Sequence, residues 1–123
     1  MTIIELVVVV ILIALLATIG FVQYNKMVEK GRTAEAKAVL GLIRSAQHGY
    51  KQQYGAYTSV LDRLGIESLV TSCTSTHYYS YGLDNVLATA TRCTASGKTP
   101  DAPVYSITLD YDTGVISGDA TYY

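Results

Sequence analysis

Twenty consecutive residues, Ile3 to Val22, carry a single charged side chain, Glu5. At 1.5 Å per residue a helix of that length reaches about 30 Å, the thickness of a bilayer's hydrocarbon core. Val7, Val8, Val9, Val10, Ile11 and Ile13 are poor helix formers in water. In hydrocarbon they matter less, because only a helix satisfies every backbone polar group within one segment. The run therefore spans or plugs a membrane at some stage, with Phe21 and Tyr24 where interfacial aromatic residues belong. A cleavable secretory signal reads differently: a basic start, a shorter apolar stretch and small residues at the cut. Here no base precedes the run and an acid lies inside it.

Glu5 is the most informative residue. A carboxylate in hydrocarbon costs about 2 to 3 kcal/mol or more, and less near a helix end. Either Glu5 stays wet at the interface, or a partner charge offsets the cost only in an assembled state. The nearest cation is the Met1 amine, four residues away. Within one chain the approach is awkward, whereas between two staggered copies of the helix it is natural.

The segment Met-Thr-Ile-Ile-Glu-Leu-Val-Val-Val-Val-Ile-Leu-Ile-Ala-Leu-Leu-Ala-Thr-Ile-Gly-Phe-Val-Gln-Tyr closely resembles the mature amino terminus of type IV pilins and pseudopilins. The match is specific over about the first 25 residues, loose along the following helix and architectural beyond residue 58. The resemblance implies a short basic leader removed by a prepilin peptidase, which would make Met1 a mature, often N-methylated first residue. It implies residence in the inner membrane with a periplasmic head. An assembly ATPase and a platform protein then extrude the subunit into a helical homopolymer outside the cell. Glu5 would pair with the Met1 amine of a neighbouring subunit. A removed leader would also reconcile the basic residues that follow the run with a head outside the cytoplasm, since alone they favour a cytoplasmic carboxy side. Position 22 is Val where most members have proline, and position 14 is Ala where many have glycine. Gly20 is then the candidate weak point of the core helix, beside Thr18.

The chain divides into an apolar transmembrane or filament-core helix, 1–24, and a globular head, 25–123, that includes the helix's second half. With 123 residues there is room for one small domain. Net charge is −1, so bulk electrostatics point to no nucleic-acid partner. Charge is segregated all the same. Lys26, Lys30, Arg32, Lys37, Arg44 and Lys51 stand against Glu29 and Glu35, while the last charges are Asp101, Asp110, Asp112 and Asp119. Solvated faces explain this, and so do complementary surfaces on neighbouring copies.

From Gln23 to about Tyr54 the pattern predicts an amphipathic helix, with Val28, Gly31, Ala34, Ala38, Val39, Leu42, Ile43, Ala46 and Tyr50 covering a sheet. Gly55 closes it. A helical turn is expected around Val60 to Leu64, and strands at His77–Tyr81, Val86–Thr94, Val104–Tyr111 and Val115–Ile116, with Asp112-Thr113-Gly114 as a turn. The fold class is α+β: a long amino-terminal helix packed on a small antiparallel sheet. Cys73 and Cys93 fit no zinc spacing. In a reducing cytosol they would be free thiols, and outside it a disulfide, tying the loop before the sheet to the second strand.

No arrangement suggests an enzyme or a bound cofactor. His48 and His77 lack nucleophile or carboxylate companions in any catalytic motif. Asp110-x-Asp112-x-Gly114 faintly suggests calcium but lacks the remaining oxygen ligands, and a hairpin turn explains it better. The eleven tyrosines cluster as Tyr50, Tyr54 and Tyr57; Tyr78, Tyr79 and Tyr81; Tyr122 and Tyr123. Such residues suit a half-buried sheet or subunit contacts, or a stacking platform. Three functional readings follow: a type IV pilus subunit serving adhesion, motility, DNA uptake or contact; a periplasmic pseudopilin of a type II secretion system; and a membrane-anchored binding module acting as a monomer.

Overall fold

The computed structural model describes residues 1–67, 69–100 and 102–123. Helix α1 (Ile3–Tyr54) runs 52 residues without a break, about 78 Å at 1.5 Å per residue. It stops where the sequence predicts. Gly55 adopts φ 84°, and its N–H donates to the Lys51 carbonyl at 2.8 Å. A left-handed residue at this point satisfies a terminal carbonyl, and glycine adopts it without a Cβ clash.

Environment divides α1 in two. Every residue from Met1 to Met27 is exposed, Val28 is half-buried and Glu29 is the first buried residue.

Its buried face consists of Glu29, Thr33, Ala36, Leu40, Ile43 and Gln47, spaced by threes and fours. This corrects the apolar stripe expected from the sequence. Of those nine residues only Ile43 is fully buried, while Gly31, Ala34, Ala38 and Leu42 lie exposed on the opposite side of the helix. The sheet took a face with three polar members because the head satisfies them. Gln47 donates to the Thr58 carbonyl at 2.6 Å and accepts from the Thr58 N–H at 3.0 Å. The Thr33 hydroxyl donates to the Lys30 carbonyl, and Glu29 has the partners described below.

A 3₁₀ turn, Leu61–Leu64, precedes four strands. They are β1 (Tyr79–Leu83), β2 (Leu87–Arg92), β3 (Ser106–Asp110) and β4 (Ile116–Gly118), antiparallel and in chain order across the sheet. β1 starts two residues later than expected, and β4 extends beyond Ile116. Tyr79 and Tyr81, Ala88 and Ala90, and Ile107 and Leu109 turn inward in alternation. They meet Ala36, Leu40 and Ile43 of α1 in one core with Tyr105 and Tyr111. Burying Leu40, Ile43, Ile107 and Leu109 stabilises by roughly 1.5 to 3 kcal/mol each. The result is the expected α+β head on a long helix.

Candidate functional site

Three places along α1 carry the candidate functional residues: its tip, its bare shaft, and the neck where the shaft enters the head.

At the tip, Thr2 is the N-cap in an extended conformation. Its hydroxyl accepts from the Glu5 N–H at 3.4 Å, and the Glu5 carboxylate accepts from the Thr2 N–H at 2.8 Å and its hydroxyl at 3.2 Å. This reciprocal capping box satisfies helix-terminal donors, and its Thr-x-x-Glu signature is legible in the sequence. The second carboxylate oxygen accepts no bond, and the Met1 amine makes no ion pair with Glu5 of its own chain, among the described residues. Met1 itself is fully exposed.

Along the shaft the large apolar side chains face solvent: Leu16 is 71% exposed, Ile19 69% and Phe21 69%. By length and composition α1 is long and apolar enough to cross a membrane. The Thr18 hydroxyl bonds back to the Leu15 carbonyl at 2.8 Å. The helix continues unbroken through Gly20, where an added Cβ would meet nothing within 4 Å.

At the neck the head grips the helix through charge. Glu29, 5% exposed, accepts from Arg92 Nε at 2.6 Å and the Tyr105 hydroxyl at 2.7 Å on one oxygen, and from Arg32 at 2.9 Å on the other. Arg92, also buried, donates further to the carbonyls of Tyr78 and Cys93 and to the Thr99 hydroxyl. Because Tyr105 gives its proton to Glu29, Tyr79 donates to Tyr105 at 2.6 Å. Burial alone would raise the Glu29 carboxyl, but the bonds from Arg92, Tyr105 and Arg32 outweigh it and hold the group below its ordinary range. Burial, with the bonds to Tyr79 and Glu29, pushes the Tyr105 hydroxyl far above the usual tyrosine range. From the sequence Glu29 and Arg32 read as charges of a solvated face or of a contact surface between copies, and Arg92 belongs to no motif. Alternation on β2 placed Arg92 inward with Ala88 and Ala90, the one signal available.

Cys73 and Cys93 form a disulfide with Cα atoms 5.5 Å apart, joining the loop before β1 to the end of β2. His48 bonds the Tyr111 carbonyl at 2.9 Å beside Arg44, and His77 contacts Thr74 and Thr76. Asp110 shapes the β3–β4 turn by accepting from Thr113 N–H and hydroxyl, and Gly114 takes φ 72° there. Asp112 instead accepts from Tyr57 at 2.6 Å and Lys51 at 3.0 Å. Those bonds hold the Asp112 carboxyl below its usual range and raise Lys51. The two carboxylates serve different partners. Of the tyrosine groups, Tyr79 and Tyr81 are core, Tyr50 and Tyr54 stack at 4.5 Å on the helix surface, and Tyr122 stacks on Tyr105 at 4.8 Å.

A scan against models of known protein families gives no match to this chain, and a search of curated proteins gives none either.

Proposed function

We propose that this protein is a structural subunit that polymerises through its amino-terminal helix into an extracellular filament of the type IV pilus kind, serving adhesion, motility, DNA uptake or contact. One observation carries the reading: a bare apolar shaft, residues 3–22, at the end of a single unbroken helix, with one acid a turn from its start. Water does not tolerate so large a continuous apolar surface. Lipid covers it before assembly, and neighbouring shafts cover it afterwards. The exposed side continues along the head as Met27, Gly31, Ala34, Ala38 and Leu42, whose mostly small side chains let helices approach closely. The resemblance of Met1–Tyr24 to pilin amino termini supports the same reading. On it, a prepilin peptidase, an assembly ATPase and a platform protein are the partners.

In this scheme the capping box holds the Glu5 carboxylate at the helix start. A neighbour's Met1 amine then offsets its charge where the dielectric is low. Glu5→Gln separates the two roles, because glutamine still closes a capping box but carries no charge. The variant is expected to insert in membranes while filament yield, counted by electron microscopy, drops sharply. Normal fibres from Glu5→Gln would refute the pairing. Long filaments sheared from cell surfaces distinguish a pilus subunit from a periplasmic pseudopilin, and a stable single copy with no fibres identifies a membrane-anchored module.

A further inference from the structure

Just beyond the shaft, an open groove runs between α1 and the loop that joins β2 to β3. Asn25, Lys26 and Arg32 line its helix side, Thr99 and Pro103 its loop side, and Tyr122 lines it as well. Cations crowd it. Arg32 lies 4.7 Å from the Tyr78 ring centroid, Lys98 4.8 Å and Arg92 5.3 Å. The one carboxylate among the described groove residues, Glu29, is already shared by Arg92, Arg32 and Tyr105. Lys26 and Lys98 are exposed, and neither makes a hydrogen bond or ion pair to another side chain among the described residues. Asp101, in the same loop, lies outside the described residues.

We infer that this groove binds the headgroup of an anionic phospholipid while the shaft crosses the bilayer, an inference that rests on the membrane-resident stage of the proposed function. Position argues for it. Lys26 follows Val22 by four residues, about 6 Å of helix rise, which places it in the headgroup layer on either side of a hydrocarbon core about 30 Å thick. Side chains on a helix slope toward its amino end, so Lys26 and Arg32 reach back toward the membrane. Long cationic side chains also extend to the interface while their stems lie on apolar surface. Phosphate diester oxygens match the guanidinium fork of Arg32, and basic residues next to a span attract anionic lipid. A basic cluster on the outer side of the membrane, at odds with the usual topology rule, then has a use before assembly.

The test uses the full chain in nanodiscs made from equal phosphatidylglycerol and phosphatidylcholine, with the lipids that stay bound counted by native mass spectrometry. Wild type is expected to retain phosphatidylglycerol preferentially, and Lys26→Gln and Lys98→Gln each to lower that preference about fivefold. These two variants leave the Glu29 network intact, so folding is not at issue. Insertion with equal retention of both lipids, or no change in the double variant, overturns the inference alone. Loss of bound phosphatidylglycerol to excess inorganic phosphate overturns it too, since it reduces the groove to a simple anion site. Failure of the chain to enter nanodiscs at all overturns both the inference and the membrane-resident stage beneath it.

Discussion

The Glu29 carboxylate and the Arg92 guanidinium, 63 residues apart in the chain, meet at 2.6 Å where the bare shaft enters the head. One lies on α1 and the other on the last position of β2, so the pair fixes both the height and the rotation of the sheet on the helix. Both groups are buried, and a buried charge is tolerated only when its partners are complete.

Removing one partner is therefore the sensitive experiment. Arg92→Met leaves Glu29 with Arg32 and Tyr105 alone and is expected to destabilise the head by about 3 to 5 kcal/mol. The double change Glu29→Leu with Arg92→Met is expected to recover much of that loss. Urea denaturation followed by near-ultraviolet tyrosine dichroism measures both. A single variant within about 1 kcal/mol of wild type would show that the pair does not anchor the head.

Acid weakens the same contact. A carboxyl held below its ordinary value binds protons more weakly in the folded chain than in the unfolded one. Its stabilisation is complete above the ordinary 4.5 and vanishes as pH falls through the lower folded value. Melting temperature should thus decline below about pH 4.5, with a shallower slope in Glu29→Gln; an identical slope would remove Glu29 as a cause.

Base acts through the tyrosines. Burial pushes the Tyr81 hydroxyl up to about 12, from an ordinary 10.0. Its contribution is intact below pH 10 and is lost as pH rises toward 12. Tyr81→Phe should flatten this alkaline limb of the melting curve, and an unchanged limb would count against it.

Two buried tyrosines should respond oppositely to loss of the hydroxyl. Tyr105 donates to Glu29 and accepts from Tyr79, so Tyr105→Phe is expected to cost about 1.5 to 3 kcal/mol. The Tyr111 hydroxyl is buried near Gln47 and the Asp84 backbone but meets hydrogen-bond geometry with neither. Tyr111→Phe should be neutral or slightly stabilising. Equal losses in the two variants would contradict the hydrogen-bond assignment.

Reducing Cys73–Cys93 releases a loop spanning 20 positions and is expected to lower stability by about 3 kcal/mol. The double serine variant measures the same quantity without reductant. Unchanged denaturation midpoints would mean that the unfolded chain is already constrained there.

The sequence alone places α1's end at Gly55, a helical turn around Val60 to Leu64, four strands within a few residues and the turn at Asp112–Gly114. These are local matters: glycine's tolerance of positive φ, alternation along a strand, and turn residues between β-rich stretches. The Thr2–Glu5 capping box is equally local, carried by the Thr-x-x-Glu spacing. The buried face of α1 was not legible. Apolar counting favoured Gly31, Ala34, Ala38 and Leu42, which the folded chain leaves bare, over Glu29, Thr33 and Gln47, which it buries.

What the sequence by itself determined is the unbroken apolar run with its lone acid, and hence a helix whose first half needs a covering that one small head does not provide. That follows from hydrophobicity and backbone hydrogen bonding, which act residue by residue. Only the tertiary structure decided which side of that helix the head occupies and which charges it hides. Whether Glu29 belongs inside depends on Arg92, Tyr105 and Arg32 arriving together, and the worth of a buried charge is set by partners in space, not by neighbours in sequence.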